Sequence, residues 1–224
     1  MTKQLIAALS LSATLMCAAE PDAPKRLQAA ADAFKEVMDT PDKTIPQDLL
    51  NKAQCVIIVP GLKKGAFLVG AKYGKGFVSC RKKDGLGWSA PGSIRVEGGS
   101  FGFQIGGEET DAFMLVMNEG GMRRLLSTKF TLGGDASVAA GPVGRSTQAE
   151  TDAAMTAEIL TWSRSRGLFA GISLSGATLR EDADWNKELY GRNISNKEVL
   201  TAATPPPPSA APFLDELNRY SSRK

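Results

Sequence analysis

The chain has 224 residues, of which 42% are hydrophobic and 23% charged, a balance typical of one globular domain with short tails. Its 27 basic and 24 acidic residues leave a formal net charge of only +3, which argues against a nucleic-acid partner. Histidine is absent and there are three cysteines, which excludes histidine-dependent catalytic triads and a thiolate-rich metal site. We therefore expect no cofactor and no metal.

Residues 1–19 have the organisation of a secretory signal peptide. One lysine, Lys3, precedes an apolar run of about a dozen residues, which is too short to span a bilayer. Small residues follow at the positions that signal peptidase reads, and they predict cleavage after Ala19. Lipidation of Cys17 and a buried N-terminal helix are the alternatives. We expect an exported protein, periplasmic or secreted, with no later segment that could cross a membrane.

The mature chain, residues 20–224, is predicted to be one α+β domain with its core at about 24–220. Pro24 to Met38 has apolar residues at helical spacing and predicts a first helix. Short apolar runs separated by glycine turns then predict an antiparallel sheet, meander or barrel, with flanking N- and C-terminal helices. The predicted strands cover 55–59 (closed by Pro60-Gly61), 66–69, 77–80, 94–96, 100–105, 112–117, 131–140, 158–163 and 168–174. The predicted later helices cover 121–127, 182–190, 196–203 and a stripe after the polyproline segment Pro205–Pro208.

Two cysteines remain after the predicted cleavage, Cys55 and Cys80. Export would place them in an oxidising compartment, and both lie in predicted strands that could be neighbours in one sheet. A disulfide bond and two buried free thiols are both compatible with this pattern.

The strongest charge asymmetry is a basic block from Leu49 to Lys83 that contains no acidic residue. Its cations are Lys52, Lys63, Lys64, Lys72, Lys75, Arg81, Lys82 and Lys83. In a meander, the turn at Lys63-Lys64 and the turn at Arg81-Lys82-Lys83 would share one edge of the sheet and attract anionic membrane surfaces. The alternative is a set of solvated hairpin ends, where lysine guards against aggregation.

Two weaker candidates accompany the basic block. The first helix carries Lys25, Arg26 and Lys35, but its charge is mixed, so its apolar face is expected to pack on the domain. The carboxylates Glu108, Glu109 and Asp111 could serve an enzyme, although solvated loop carboxylates explain them better.

Several phrases of the sequence resemble one family in order and spacing, over roughly Pro24 to Tyr220. They are Ile45-Pro46, Trp88-Ser-Ala-Pro91, Gln104-Ile-Gly106 with Asp111, Thr131-Leu-Gly-Gly134, Ala139-Ala-Gly-Pro-Val-Gly-Arg145, Ser163-Arg-Ser-Arg-Gly-Leu-Phe-Ala-Gly-Ile-Ser-Leu-Ser-Gly176, Asn186 and Tyr190-Gly191. This pattern resembles the SYLF domain family of lipid- and actin-binding modules. Within this pattern, Arg145 and Arg166 are each predicted to form a structural ion pair with a buried carboxylate or to bind a phosphate.

The resemblance implies a non-enzymatic module. Animal and fungal members bind phosphoinositides with the help of an amphipathic N-terminal helix, and some bind actin and carry an SH3 domain. The matching helix here has Lys25, Arg26 and Lys35 as its cations. Because an exported protein would not meet cytoplasmic actin, the predicted partner is anionic phospholipid or a phosphoinositide-like headgroup. The predicted location is the periphery of a membrane. The alternative is an envelope scaffold that binds proteins through an apolar patch or Pro205–Pro208.

Overall fold

The computed structural model describes residues 22–41, 43–67, 69–83, 85–100, 106–144 and 156–221. The predicted signal peptide, with Cys17 and Ala19, lies outside these residues, and so does Arg145. The strands are β1 Cys55–Phe67, β2 Val69–Cys80, β3 Gly92–Ser100, β4 Gly106–Val116, β5 Lys129–Thr131, β6 Val138–Ala140, β7 Ile159–Ser165, β8 Leu168–Gly171 and β9 Thr178–Glu181. The α-helices are α1 Ala23–Asp39, α2 Gln47–Lys52, α3 Glu119–Leu125, α4 Ala183–Tyr190, α5 Asn196–Thr201 and α6 Ala211–Ser221.

The nine strands form one curled sheet in the order β5-β9-β3-β2-β1-β4-β7-β6, with β8 beside β7. All neighbouring strands are antiparallel except β6 and β7, which are parallel. The predicted α+β class, with an antiparallel barrel-like core and flanking helices, is confirmed. None of the helices in the described ranges is long and apolar enough to span a bilayer.

Each face of the sheet has its own hydrophobic core, because alternate strand residues point to opposite sides. The face covered by α1, α4 and α6 is rich in aromatic side chains, among them Phe34, Phe77, Phe113, Trp162 and Phe213. The other face is aliphatic and is closed by Leu125 of α3, Phe130 of β5 and the turn after β5. The sheet is therefore buried on both sides over most of its length.

Helix α1 begins at an N-cap, Asp22, whose side chain accepts a hydrogen bond from the Lys25 backbone N–H. Its apolar stripe, which includes Leu27, Phe34 and Val37, is buried against the sheet and α6. The prediction that this face packs on the domain is confirmed. The docked helix therefore has no apolar face left for a bilayer.

Strand β1 continues past Pro60-Gly61 to Phe67, so the prediction that these two residues end the strand is wrong. They form a β-bulge, where the register with β4 shifts between Val59 and Leu62. Gly61 has φ +61°, a conformation that glycine adopts without strain, and its N–H donates to Asp111 Oδ1 at 2.9 Å. A proline-glycine pair indicates a bulge as readily as a turn, and only the pairing with a neighbour decides between them.

The predicted strand over 131–140 is wrong in extent, because a turn divides it into β5 and β6. Gly133 in this turn has φ +78°, and Asp135 Oδ2 accepts a hydrogen bond from the Thr131 N–H at 2.8 Å. The side-chain hydrogen bond replaces a strand contact at this point and turns the chain.

Cys55 and Cys80 face each other in register at the start of β1 and the end of β2, and their sulfurs form a disulfide bond. Both residues are fully buried in the aliphatic core. Of the two alternatives that the sequence left open, the structure therefore has the disulfide.

Candidate functional site

The basic block is divided between the two ends of the β1–β2 hairpin. Lys63 and Lys64 lie inside β1, close to the hairpin end where Phe67 pairs with Val69. Arg81 follows the opposite end of β2, where Cys55 pairs with Cys80. Lys64 pairs with Lys72, and from there the strand to Arg81 is about 30 Å long at the usual rise per residue. The prediction of one shared edge is wrong, because Lys63-Lys64 is not a turn.

Arg81 cannot serve as an exposed lipid ligand. It is only 9% exposed and lies 3.9 Å from the centre of the Trp88 ring. Its guanidinium donates to the Leu50 carbonyl oxygen at 3.3 Å and to Ser221 at the end of α6. These contacts give Arg81 a structural role joining α2, β2 and α6, whereas its neighbours Lys82 and Lys83 are exposed.

The cations of α1 are held by local partners. Lys25 lies 3.0 Å from Asp22 and Lys35 lies 2.5 Å from Asp39. The pKa of Asp22 is lowered mainly by the hydrogen bond from the Lys25 backbone N–H and then by the Lys25 side chain. The pKa of Asp39 is lowered mainly by its hydrogen bond with Lys35. Arg26 donates to the Pro60 carbonyl oxygen at 2.9 Å. Their predicted role in lipid binding stays a prediction, and their contacts are those of a helix docked on the sheet.

The end of the hairpin where Phe67 pairs with Val69 carries what we call the distal lysine cluster, Lys63, Lys64 and Lys72. Lys64 and Lys72 are directly opposite in β1 and β2. Burial, and then the charge of Lys64, lowers the pKa of the half-buried Lys72. Tyr73, which is opposite Lys63, is 39% exposed. Within the described residues, none of the three ammonium groups has a carboxylate within 4.0 Å.

Lys72 was missed as a site residue because the sequence alone does not give the register that pairs it with Lys64. The register also brings acidic residues to the cluster, with Glu108 opposite Lys64 and Glu109 opposite Lys63 on β4. The charge asymmetry is therefore smaller in the fold than in the sequence. Both glutamates are exposed.

A polar cleft of about 360 Å³ lies between α1, the β1 bulge, β4 and β7. At its base, Arg164 donates to Asp111 Oδ2 from Nε at 3.0 Å and from Nη2 at 2.6 Å, and it also pairs with Glu36 of α1. Burial alone would lower the pKa of Arg164, but the hydrogen bonds and charges of Glu36 and Asp111 outweigh this and raise it. The cleft is an ionic latch that fastens α1 to the sheet.

An ion pair of the kind predicted for Arg145 and Arg166 is made by Arg164, while Arg145 lies outside the described residues. Arg166 lies in the turn between β7 and β8, with φ +48° and an exposed side chain. Arg166 lies beyond the end of β7, whereas Arg164 lies within β7 directly opposite Asp111 of β4. Asp111 is fully engaged by Arg164 and Gly61, and the described residues contain no cluster of three acidic or cysteine side chains suited to a metal ion.

Replacing Arg164 by methionine is expected to reduce the free energy of unfolding by about 1–3 kcal/mol, because it leaves Asp111 half-buried without its charged partner. Amide hydrogen exchange in α1 should accelerate as well, since Glu36 loses its contact. Urea unfolding and exchange mass spectrometry measure the two effects. Arg166→Met is the matched control, and we expect a change of at most about 0.5 kcal/mol. Equal effects of the two substitutions would contradict the latch.

A family model and the similar proteins of known name point to one family. The family model described as "Ysc84: Las17-binding protein actin regulator" matches residues 97–220. LAS seventeen-binding protein 3 of Saccharomyces cerevisiae is 38% identical over 180 residues, which are 79% of this chain and 39% of that protein. SH3 domain-containing YSC84-like protein 1 of Homo sapiens is 35% identical over 184 residues, which are 82% of this chain and 53% of that protein.

The chain spans only part of these relatives, and the same holds for SH3 domain-containing protein PJ696.02 of Schizosaccharomyces pombe, which is 37% identical and of which 41% is covered. The matched region runs from within β3 into α6 and contains the phrases around Asp111, Arg164 and Asn186 that suggested the resemblance. The chain therefore belongs to the Ysc84 (SYLF) domain family.

Proposed function

We propose that this chain is a non-enzymatic module that associates with anionic phospholipid at a membrane surface through the distal lysine cluster. The observation that carries the proposal is that Lys64 and Lys72 are directly opposed near the Phe67–Val69 end of the hairpin and have no carboxylate within 4.0 Å among the described residues. Export and a peripheral position on an envelope membrane are part of the proposal. The buried Cys55–Cys80 disulfide supports export, because such bonds persist in oxidising compartments.

Electrostatics favours a phosphate-rich surface at this end. Like charges directly opposite in a sheet are destabilising, and the phosphate groups of lipids would relieve the repulsion between Lys64 and Lys72. They would also offset the burial that lowers the pKa of Lys72. Tyr73 is exposed beside the lysines, and tyrosine is a residue type favoured at membrane–water interfaces.

A role without catalysis is supported by the engagement of the carboxylates. Asp111 is held by Arg164 and the Gly61 N–H, while Glu108 and Glu109 are exposed on β4 and lie in register with lysines. The family model describes its members as binding proteins and regulators.

Neutralising Lys64 and Lys72 to glutamine should weaken binding to vesicles of phosphatidylglycerol and phosphatidylcholine by roughly 30-fold, at about 1 kcal/mol per lysine. The measurement is co-sedimentation of the chain from Glu20 onward, so that the apolar leader cannot itself insert. High salt should weaken the wild type in the same way.

Lys82→Gln with Lys83→Gln is the matched control, because it removes the same charge from the opposite end of β2. We expect it to leave vesicle binding within about threefold of the wild type, a change smaller than one lysine contributes. A larger loss in the control than in the Lys64/Lys72 variant would move the membrane contact to the other end of the hairpin. No binding of the wild type to any vesicle would reject the lipid function.

A protein-binding role is the second candidate, and the exposed segment Pro205–Pro208 favours it. Pro207 has φ −67° and ψ 153°, the polyproline II conformation that aromatic-lined grooves recognise. The family model is described as a Las17-binding actin regulator, and one relative is named LAS seventeen-binding protein 3, so actin filaments are the first probe. Co-sedimentation with filamentous actin, with Pro205 and Pro206 replaced by alanine in parallel, tests this role.

A further inference from the structure

A row of cations crosses four neighbouring strands on one face of the sheet. Lys75 of β2 is opposite Arg95 of β3, Arg95 is opposite Arg180 of β9, and Arg180 is opposite Lys129 of the edge strand β5. Directly opposed residues of antiparallel strands share a face, so the four side chains emerge side by side. Each neighbouring pair is a like-charge pair, which costs stability unless an anion lies nearby.

Among the described residues, carboxylates lie beside only one side of this row. Lys75 is 3.4 Å from Asp182 and stacks over the Trp185 ring, under the cover of α4. Arg95 and Arg180 share one carboxylate, Glu97, at 2.9 Å and 3.7 Å. Lys129 is exposed and has no carboxylate within 4.0 Å among the described residues. The uncompensated charge therefore lies toward the edge strand.

A cleft of about 500 Å³ adjoins this end of the row, between α3 and β5. Lys129 lines it together with Arg123 and Arg124, and Arg124 also has no carboxylate within 4.0 Å in the described chain. Arg123 makes only an exposed contact of 4.0 Å with Glu119.

Two carboxylates also line the cleft, and both are engaged by the backbone. Asp135 accepts from the Thr131 N–H at 2.8 Å, and Glu158 accepts from the Ser137 N–H at 2.9 Å. These bonds hold the acidic groups in place as parts of the local fold. Among the described residues that line the cleft, Arg124 and Lys129 are thus the cations without a carboxylate within 4.0 Å.

We propose that these residues form a binding site for a ligand that carries more than one phosphate group, with Arg180, Lys129 and Arg124 as its cations. Neighbouring strands are about 4.8 Å apart, so the row from Arg95 to Lys129 is about 10 Å long and exceeds a single phosphate. A protective lysine on an edge strand would explain Lys129 alone, but it would not explain the arginines on β9 and β3. The site is separate from the distal lysine cluster and goes beyond the proposed membrane association.

Calorimetric titration of the chain with inorganic tripolyphosphate tests this site, with orthophosphate as the single-phosphate comparison. We expect tripolyphosphate to bind at least tenfold more tightly than orthophosphate, because it accepts more charge-assisted hydrogen bonds. Arg124→Gln with Lys129→Gln should weaken tripolyphosphate binding by roughly tenfold or more. Lys187→Gln with Lys197→Gln, which neutralises two exposed lysines on α4 and α5, is the control and should bind as the wild type does.

The source of the phosphates is distinguished by repeating vesicle co-sedimentation with the Arg124/Lys129 variant. Loss of tripolyphosphate binding with unchanged vesicle binding supports a soluble ligand, and loss of both supports a lipid headgroup with several phosphates. Absence of tripolyphosphate binding by the wild type, or an equal loss in the Lys187/Lys197 control, would overturn the site. Neither result would contradict the proposal for the distal lysine cluster, because the Lys64/Lys72 variant is tested by vesicle co-sedimentation alone.

Discussion

Reducing the Cys55–Cys80 disulfide is expected to lower the free energy of unfolding by about 3.5 kcal/mol, the chain-entropy value for a loop of this size. The two cysteines are 25 residues apart in sequence and both are fully buried. The bond therefore restricts the conformations that the unfolded chain can adopt. In the folded state, the two thiols of the reduced protein would still fill the same space in the core. Most of the loss should come from the greater freedom of the unfolded state.

Urea unfolding with and without dithiothreitol measures this difference, and the reduced wild type is a better comparison than a substituted chain because no atoms are removed. Cys55→Ala with Cys80→Ala should lose more stability than reduction, since it also creates cavities. The alanine variant should show no response to dithiothreitol. Coincident unfolding curves of the reduced and oxidised wild type would contradict the assigned role.

The fold class and the packing of the apolar face of α1 on the domain could be predicted, because both depend on local periodicity. The apolar stripe of α1 recurs at helical spacing, and glycine turns between short apolar runs predict an antiparallel sheet. The cysteines could be assigned to neighbouring strands, yet the bond itself required the register that places Cys55 opposite Cys80. The local sequence pattern thus predicted the helices and strands, whereas the register between strands determined whether the two cysteines form a disulfide.

The candidate site was harder to predict because it depends on register and burial. Pro60-Gly61 looks like a turn, and this interpretation divided β1 and placed Lys63 and Lys64 at the same edge of the sheet as Arg81. Arg81 belongs to the same basic run as Lys82, but its burial against Trp88 comes from α2 and α6, which are distant in sequence. The row from Lys75 to Lys129 joins four strands and has no sequence signature.

Replacing Asn186 by alanine is expected to cost about 3–5 kcal/mol, because it strands several buried polar groups at once. Asn186 is fully buried on α4. Its Oδ1 accepts from the Ser93 N–H at 2.8 Å, and its Nδ2 donates to Asn196 Oδ1 at 2.8 Å and to the Ile194 carbonyl oxygen at 3.2 Å. One side chain thus joins the start of β3 to α4 and α5.

Thermal and urea unfolding of Asn186→Ala measure the loss, and Asn193→Ala, at an exposed position between the same two helices, is the control, with an expected change of at most about 0.5 kcal/mol. A double-mutant cycle with Asn196→Ala should show strong coupling, because Asn196 Nδ2 donates to the Ser93 carbonyl oxygen at 2.9 Å and belongs to the same network. Additive losses would mean that the two asparagines stabilise the chain independently. Coupled losses would show that α4 and α5 are held to the start of β3 as one unit by this buried polar network.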